Sequence, residues 1–154
     1  MSTGTIHAIY IGPKRGEPLV GVAEVRAVAG RGLEGDRYYL GRGSLSRWPG
    51  PGRHVTLIEQ ELLDAVRREH GIDLGGGRSR RNIVTVGVDL GDRKGQRFRI
   101  GRAVFKAGIA CRPCGYLERK TEAGVFVALR GRGGLRAEVV EEGTIRVADA
   151  IEFL

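Results

Sequence analysis

Cys111, Arg112, Pro113 and Cys114 form a C-x-x-C motif that holds the chain's only two thiols. Four chemistries suit two cysteines at this spacing. The first is a redox dithiol, because a C-x-x-C placed after a strand and before a helical turn has a lowered thiol pKa. The second is half of a zinc site, for which His7, His54 and His70 are the only histidines, each standing singly. The third is one functional thiolate, Cys114, with Cys111 as bystander or resolving thiol. Arg112 supplies positive charge beside it, and Pro113 fixes the local backbone. The fourth is a pair of inert buried thiols. Spacing alone leaves all four open.

The elements that must position these cysteines are mostly strands. Thr5–Ile11 and Leu19–Ala29 are rich in β-branched and small residues, and a turn-forming stretch, GPKRGEP, separates them. His54–Ile58, Asn82–Val88, Arg97–Gly101 and Ala103–Ala110 follow. LRAEVV and TIRVADAIEF close the chain around the turn Glu141–Gly143. In RFRI and TIRV the apolar residues and the arginines alternate, which places them on opposite faces. The best helical pattern is Glu59–Gly71, where Leu62, Leu63 and Val66 share a face and Gly71 suits the C-terminal cap. Thr56 and Glu59 read as a capping box at its start. A weaker helix is expected over Glu122–Arg130, and a short helical turn after Cys114. Two Gly- and Arg-rich segments, Gly30–Arg53 and Gly71–Arg81, fit neither period, and loops of that length are commonly functional.

Short strands with few helices between them predict a mainly β fold, a curled antiparallel or mixed sheet. Closing that sheet into a barrel removes its edges and leaves the long loops to line a pocket. The length, 154 residues, is that of a single domain spanning 1–154. No apolar run approaches the roughly 18 residues of a membrane span, and no secretion signal is visible at the start. The expectation is a cytoplasmic protein with no membrane partner. The formal charge is +8, and of 26 basic residues only Lys14, Lys94, Lys106 and Lys120 are lysines. An arginine fork suits phosphate or carboxylate. GC-rich coding, which favours Arg, Gly, Ala and Val together, accounts equally well for the total.

Six stretches in order resemble the MOSC domain family, the module found at the C-terminus of molybdenum cofactor sulfurases and in standalone bacterial proteins. GLEGDRY (Gly32–Tyr38) is similar to the family's G-x-x-GDR-H, with Tyr38 in place of histidine. RHVTLIEQELL (Arg53–Leu63) is similar to its strand-then-helix segment. SRRNIVTVGVDL (Ser79–Leu90) matches R-x-N-I-x-x-x-G-x-D-L. GQRFRIGRAVFK matches G-x-x-x-x-IG-x-A. CRPC supplies the Pro-Cys at Cys114. EEGTIRVADAI resembles the closing G-x-I-x-x-GD-x-I, with Ala148 in place of glycine.

The resemblance implies a distorted β-barrel with a few peripheral helices and a cleft for the molybdenum cofactor (molybdopterin). By position, Cys114 is the implied catalytic residue and molybdenum ligand, or else a persulfide carrier. Arg80 and Asn82 match the pair that would hold the cofactor's phosphate end, and Asp36 and Arg37 match the GDR motif. Arg53 and Arg112 lie in or beside matched stretches and join the candidate cofactor-binding set. The implied activity is reduction of N-hydroxylated small molecules. No flavin or iron–sulfur motif is present, so the electron donor would be another protein. The alternative is sulfur carriage in metal–sulfur cofactor assembly. Its partner, a cysteine desulfurase, would hold any pyridoxal phosphate, which is not expected in this chain. A third reading, a basic nucleic-acid-binding module, explains the charge but lacks interleaved aromatics and any RNP-like spacing. Two bland alternatives stand beside the site reading: Asp36–Arg37 as a structural ion pair, and Asn82 as a side chain satisfying backbone groups at a strand start.

Overall fold

A computed structural model of the chain describes residues 3–12, 17–37, 39–40, 54–110 and 134–154. The alternating patterns form strands with their apolar faces turned together. Arg97–Ile100 is the plainest case: Phe98 and Ile100 are fully buried while Arg97 and Arg99 face out. The strands are β1 (Thr3–Ile11), β2 (Val20–Val22), β3 (Glu24–Val28), β4 (Gly32–Leu33), β5 (Val55–Glu59), β6 (Ile83–Val86), β7 (Arg97–Ile100), β8 (Ala103–Ala110), β9 (Leu135–Glu141), β10 (Gly143–Arg146) and β11 (Ala150–Phe153). The helix α1 (Gln60–His70) lies between β5 and β6.

Seven strands run in the order β11-β7-β8-β9-β5-β6-β1, and pairing of β1 with β11 closes them into a barrel. β2 joins the same sheet by pairing with Ile9–Ile11 of β1, beyond the Thr3–Thr5 stretch that pairs with β11. β10, β3 and β4 form a separate small sheet. The fold is thus the expected mainly β barrel with little helix. All described pairings are antiparallel except β5–β6. A parallel pair needs a crossover, and α1 supplies it.

The barrel interior is aliphatic around an aromatic centre. Phe98 and Phe105, register partners on β7 and β8, stack with centroids 5.1 Å apart, and Phe153 lies 5.0 Å from Phe98. Val25, Ala27, Leu33 and Ile145 extend this core into the small sheet. On the outer side of the barrel wall, Leu63 and Val66 of α1 cover Ile58 and Val84, with Ile72 and Leu74 completing the cluster. Burying each such side chain is worth about 1.5–3 kcal/mol. The double covering explains why Val55, Thr56, Leu57 and Ile58 are all buried, against the usual alternation.

Several local expectations change in the folded chain. The Leu19–Ala29 run divides at Ala23, because β2 belongs to the barrel and β3 to the small sheet. The closing run divides at 147–149 for the same reason, and Val147 is partly exposed. The capping box of Thr56 and Glu59 does not form. Thr56 is a strand residue bonded elsewhere, and a Glu59 carboxylate oxygen accepts the Leu90 N–H at 3.2 Å. Burial pushes the Glu59 carboxyl pKa up, a rise the Leu90 bond partly offsets. The C-terminal cap is as expected: Gly71 has φ 69° and donates to the Arg67 carbonyl at 2.9 Å. The Glu122–Arg130 helix and the turn after Cys114 lie outside the described residues. No helix among the described residues is long and apolar enough to cross a membrane.

Ala148, which replaces the glycine of the closing motif, has φ 77°, a conformation in which a Cβ is crowded. It is held there by its N–H, which donates to the Ile6 carbonyl at 2.8 Å. Ala148→Gly is expected to be as stable as the wild type or up to about 1 kcal/mol more stable, while Ala148→Val should lose about 2 kcal/mol or more. Urea unfolding followed by circular dichroism checks both.

Candidate functional site

At one end of the barrel β1 runs out at Ile11, flanked by the beginnings of β5 and β6. Asn82, fully buried just ahead of β6, ties these three strands together. Its Oδ1 accepts the Thr56 backbone N–H and the Thr56 hydroxyl, each at 3.1 Å. Its own backbone N–H donates to Thr56 Oγ1 at 3.0 Å. Its Nδ2 donates to the Tyr10 carbonyl at 3.0 Å, and the Tyr10 N–H donates back to the Asn82 carbonyl at 2.7 Å. Asn82 therefore satisfies backbone groups at a strand start, and in doing so it sets where the preceding loop meets the barrel.

That loop, 71–81, is packed rather than loose. Gly77 takes φ 87° against Tyr10 and Leu19, where a Cβ would sit 3.1–3.3 Å from both. Arg80 adopts φ 59°, an uncommon conformation for a residue with a side chain. Its N–H donates to the Gly77 carbonyl at 3.0 Å, its carbonyl accepts Arg37 Nη2 at 3.2 Å, and its Nη1 donates to the Glu17 carbonyl at 2.8 Å. Ser79, Arg80 and Arg81 are all buried.

Asp36 and Arg37 reach the same end from the segment after β4. Asp36 is fully buried, and its Oδ1 accepts both Arg37 Nη1 and the Gly12 N–H at 3.0 Å. This ion pair anchors the start of the long segment to the end of β1. Of the predicted site residues, Asp36, Arg37, Arg80 and Asn82 thus come together at one end of the barrel. Arg81, which the pattern-matching passed over, joins them. The Arg37 guanidinium sits on the Asp36 carboxylate and the Arg80 backbone, and the Arg80 guanidinium reaches the Glu17 carbonyl. Cys114, Arg112, Arg53, Cys111 and Tyr38 lie outside the described residues. The segment that carries Cys114 follows Ala110 and returns at Gly134. Ala110 and Leu135 are register partners, and Leu135 also pairs with Leu57 of β5. Gly134 has φ 104°, and a Cβ there would lie 2.1 Å from the Leu57 carbonyl oxygen, so only glycine fits that return.

The barrel and its arginine-bearing end bring the described motif residues Asp36, Arg37, Arg80 and Asn82 into one architecture. The sequence model of the MOSC domain matches residues 46–152, more than half the chain. The chain belongs to the MOSC domain family. No curated protein matches it in sequence. Among solved structures, the YuaD protein from Bacillus subtilis superposes with a TM-score of 0.78 at 15% identity, covering 97% of this chain and 94% of that one. YiiM from Escherichia coli gives 0.73 at 19% identity, over 100% of this chain and 70% of that one. YiiM from Geobacillus stearothermophilus gives 0.71 at 17% identity, over 98% and 75%. At these identities the likeness establishes the MOSC fold.

Sequence reasoning missed Thr56 because its place before a helix suggested a cap. The Gly12, Glu17 and Tyr10 contacts use backbone groups, which leave no side-chain signal. His54 precedes β5, and its Nδ1 accepts the Val139 N–H at 3.3 Å. Burial pushes its pKa down, opposed by the nearby Glu138 carboxylate.

Two outcomes follow. Asp36→Ala leaves Arg37 buried without its carboxylate and should cost about 3 kcal/mol in urea unfolding. His54 is held neutral in the fold, so its contribution is present above the ordinary histidine pKa of about 6.5 and is lost as pH falls below that value. His54→Asn, which keeps an acceptor but no titration, should flatten the fall in stability between about pH 7 and the lowered folded pKa.

Proposed function

We propose that this MOSC protein binds the molybdenum cofactor at the arginine-lined end of the barrel, with Cys114 as the metal ligand, and reduces N-hydroxylated small molecules. The observation that carries the reading is that buried Arg37 and Arg80, from two distant stretches, meet at the barrel end that Asn82 fixes, with buried Arg81 next in the chain. A cofactor with a phosphate terminus fits such a site, because guanidinium groups recognise phosphate through charge-assisted, often bidentate bonds. A thiolate is the ligand type that soft metals select.

In this reading Arg80 and Arg81 hold the phosphate end, Arg37 supports Arg80 through its carbonyl, and Asp36 and Asn82 are positioning residues. The strained backbone at Arg80 keeps its guanidinium aimed as the loop dictates, before any ligand arrives. Arg53 and Arg112 extend the positive field on the segments that carry them. When bound, the cofactor supplies two-electron removal of oxygen. The substrate N–OH takes up two electrons and two protons and leaves as N–H and water. The electrons come from a separate donor protein.

The test is elemental analysis of protein purified from a host that makes the cofactor. Wild type should carry near-stoichiometric molybdenum, and Cys114→Ser should lose it at least about tenfold. Arg80→Gly, which relieves the backbone but deletes the guanidinium, should fold and yet retain less metal. Absence of molybdenum from wild type, with a control enzyme loaded in the same cells, overturns the metal reading. A persulfide mass increment on Cys114 would then support sulfur carriage instead.

A further inference from the structure

Arg136 on β9 is the register partner of Thr56 on β5. Partners in an antiparallel pair share a face, so Arg136 stands on the side of the wall where Thr56 and Asn82 meet. β6 and β1 continue that row, through Asn82 to Tyr10. The polar side-chain atoms nearest in this row are committed elsewhere: the Thr56 hydroxyl and Asn82 Oδ1 bond each other, and Nδ2 bonds the Tyr10 carbonyl.

Arg136 is partly buried, and its Nη1 atom is fully buried with no hydrogen-bond partner among the described residues. Among the described residues no ion pair involves its guanidinium. A buried cationic donor without a partner is costly, so folded proteins rarely keep one that has no use. A guanidinium nitrogen left in this state beside an already satisfied row is suited to receive an acceptor from outside the protein.

We propose that Arg136 binds an oxyanion, of the phosphate monoester class, against the Thr56–Asn82 row. The proposal deepens the cofactor reading, on which the identity of the ligand rests, by adding a residue on a strand that no motif match pointed to.

The experiment is thermal unfolding of the full chain at constant ionic strength, titrated with inorganic phosphate and, separately, phenyl phosphate. Wild type, Arg136→Met, Arg136→Lys and the exposed-strand control Arg99→Met are compared. Wild type and Arg99→Met should gain melting temperature with anion concentration. Arg136→Met should melt at or above wild type without anion, and its apparent affinity should fall by about tenfold or more, with Arg136→Lys in between. Tighter binding of phenyl phosphate would identify a ligand's ester as the source, and equal binding the free ion; both uphold the oxyanion site. A lower melting temperature or failure to fold for Arg136→Met without anion would assign the arginine a structural role and overturn the proposal. Equal anion response in Arg136→Met and wild type, or none in either, would also overturn it. The assay needs neither molybdenum nor Cys114, so its failure is separable from failure of the metal reading.

Discussion

One buried amide holds the arginine-bearing end of this barrel in place. Asn82 bonds both the backbone and the hydroxyl of Thr56 and spans to the Tyr10 carbonyl, so β5, β6 and β1 are fixed at a common level. β5 and β6 are the parallel pair, joined through α1. A parallel pair lacks the tight turn that sets register in a hairpin, and here a side chain does that work. A buried amide that failed to find these partners would itself be destabilising, so the clasp forms as a unit or not at all.

The arginines inherit their positions from this clasp. Arg80 and Arg81 directly precede Asn82, so the strand start determines where the loop ends. Arg80 takes up a left-handed backbone, turns its carbonyl to Arg37 and reaches Glu17. The Asp36–Arg37 pair, bound to Gly12, brings in the segment after β4. Arginines drawn from two distant stretches of sequence are thereby held in a buried frame. Preorganisation of this kind would lower the ordering cost of the anion binding proposed for this end.

Much of the barrel is readable from alternation in RFRI and from the β-branched runs, because each strand has one face in a common core. The exceptions have physical causes. The runs at 19–29 and 144–153 look continuous, but the chain changes sheet inside each, and local pattern carries no mark of that. Thr56 and Glu59 have the letters of a cap, yet tertiary partners, Asn82 and Leu90, take their polar groups. At the site, Asp36, Arg37, Arg80 and Asn82 are found through motif matches, since their side chains carry the signal. The main-chain contacts to Gly12, Glu17 and Tyr10 have no sequence counterpart. Arg136 alternates between Leu135 and Ala137 like any outward strand residue, and only register reveals its neighbour.

The most direct measurement of the clasp is a double-mutant cycle between Thr56→Val and Asn82→Ala, read by urea unfolding. If the two side chains act as one unit, each single change costs nearly as much as both together, with a coupling energy of about 1–3 kcal/mol. Simple additivity would mean that the arginine end of the barrel is held by other contacts, and that Asn82 and Thr56 are independent bystanders.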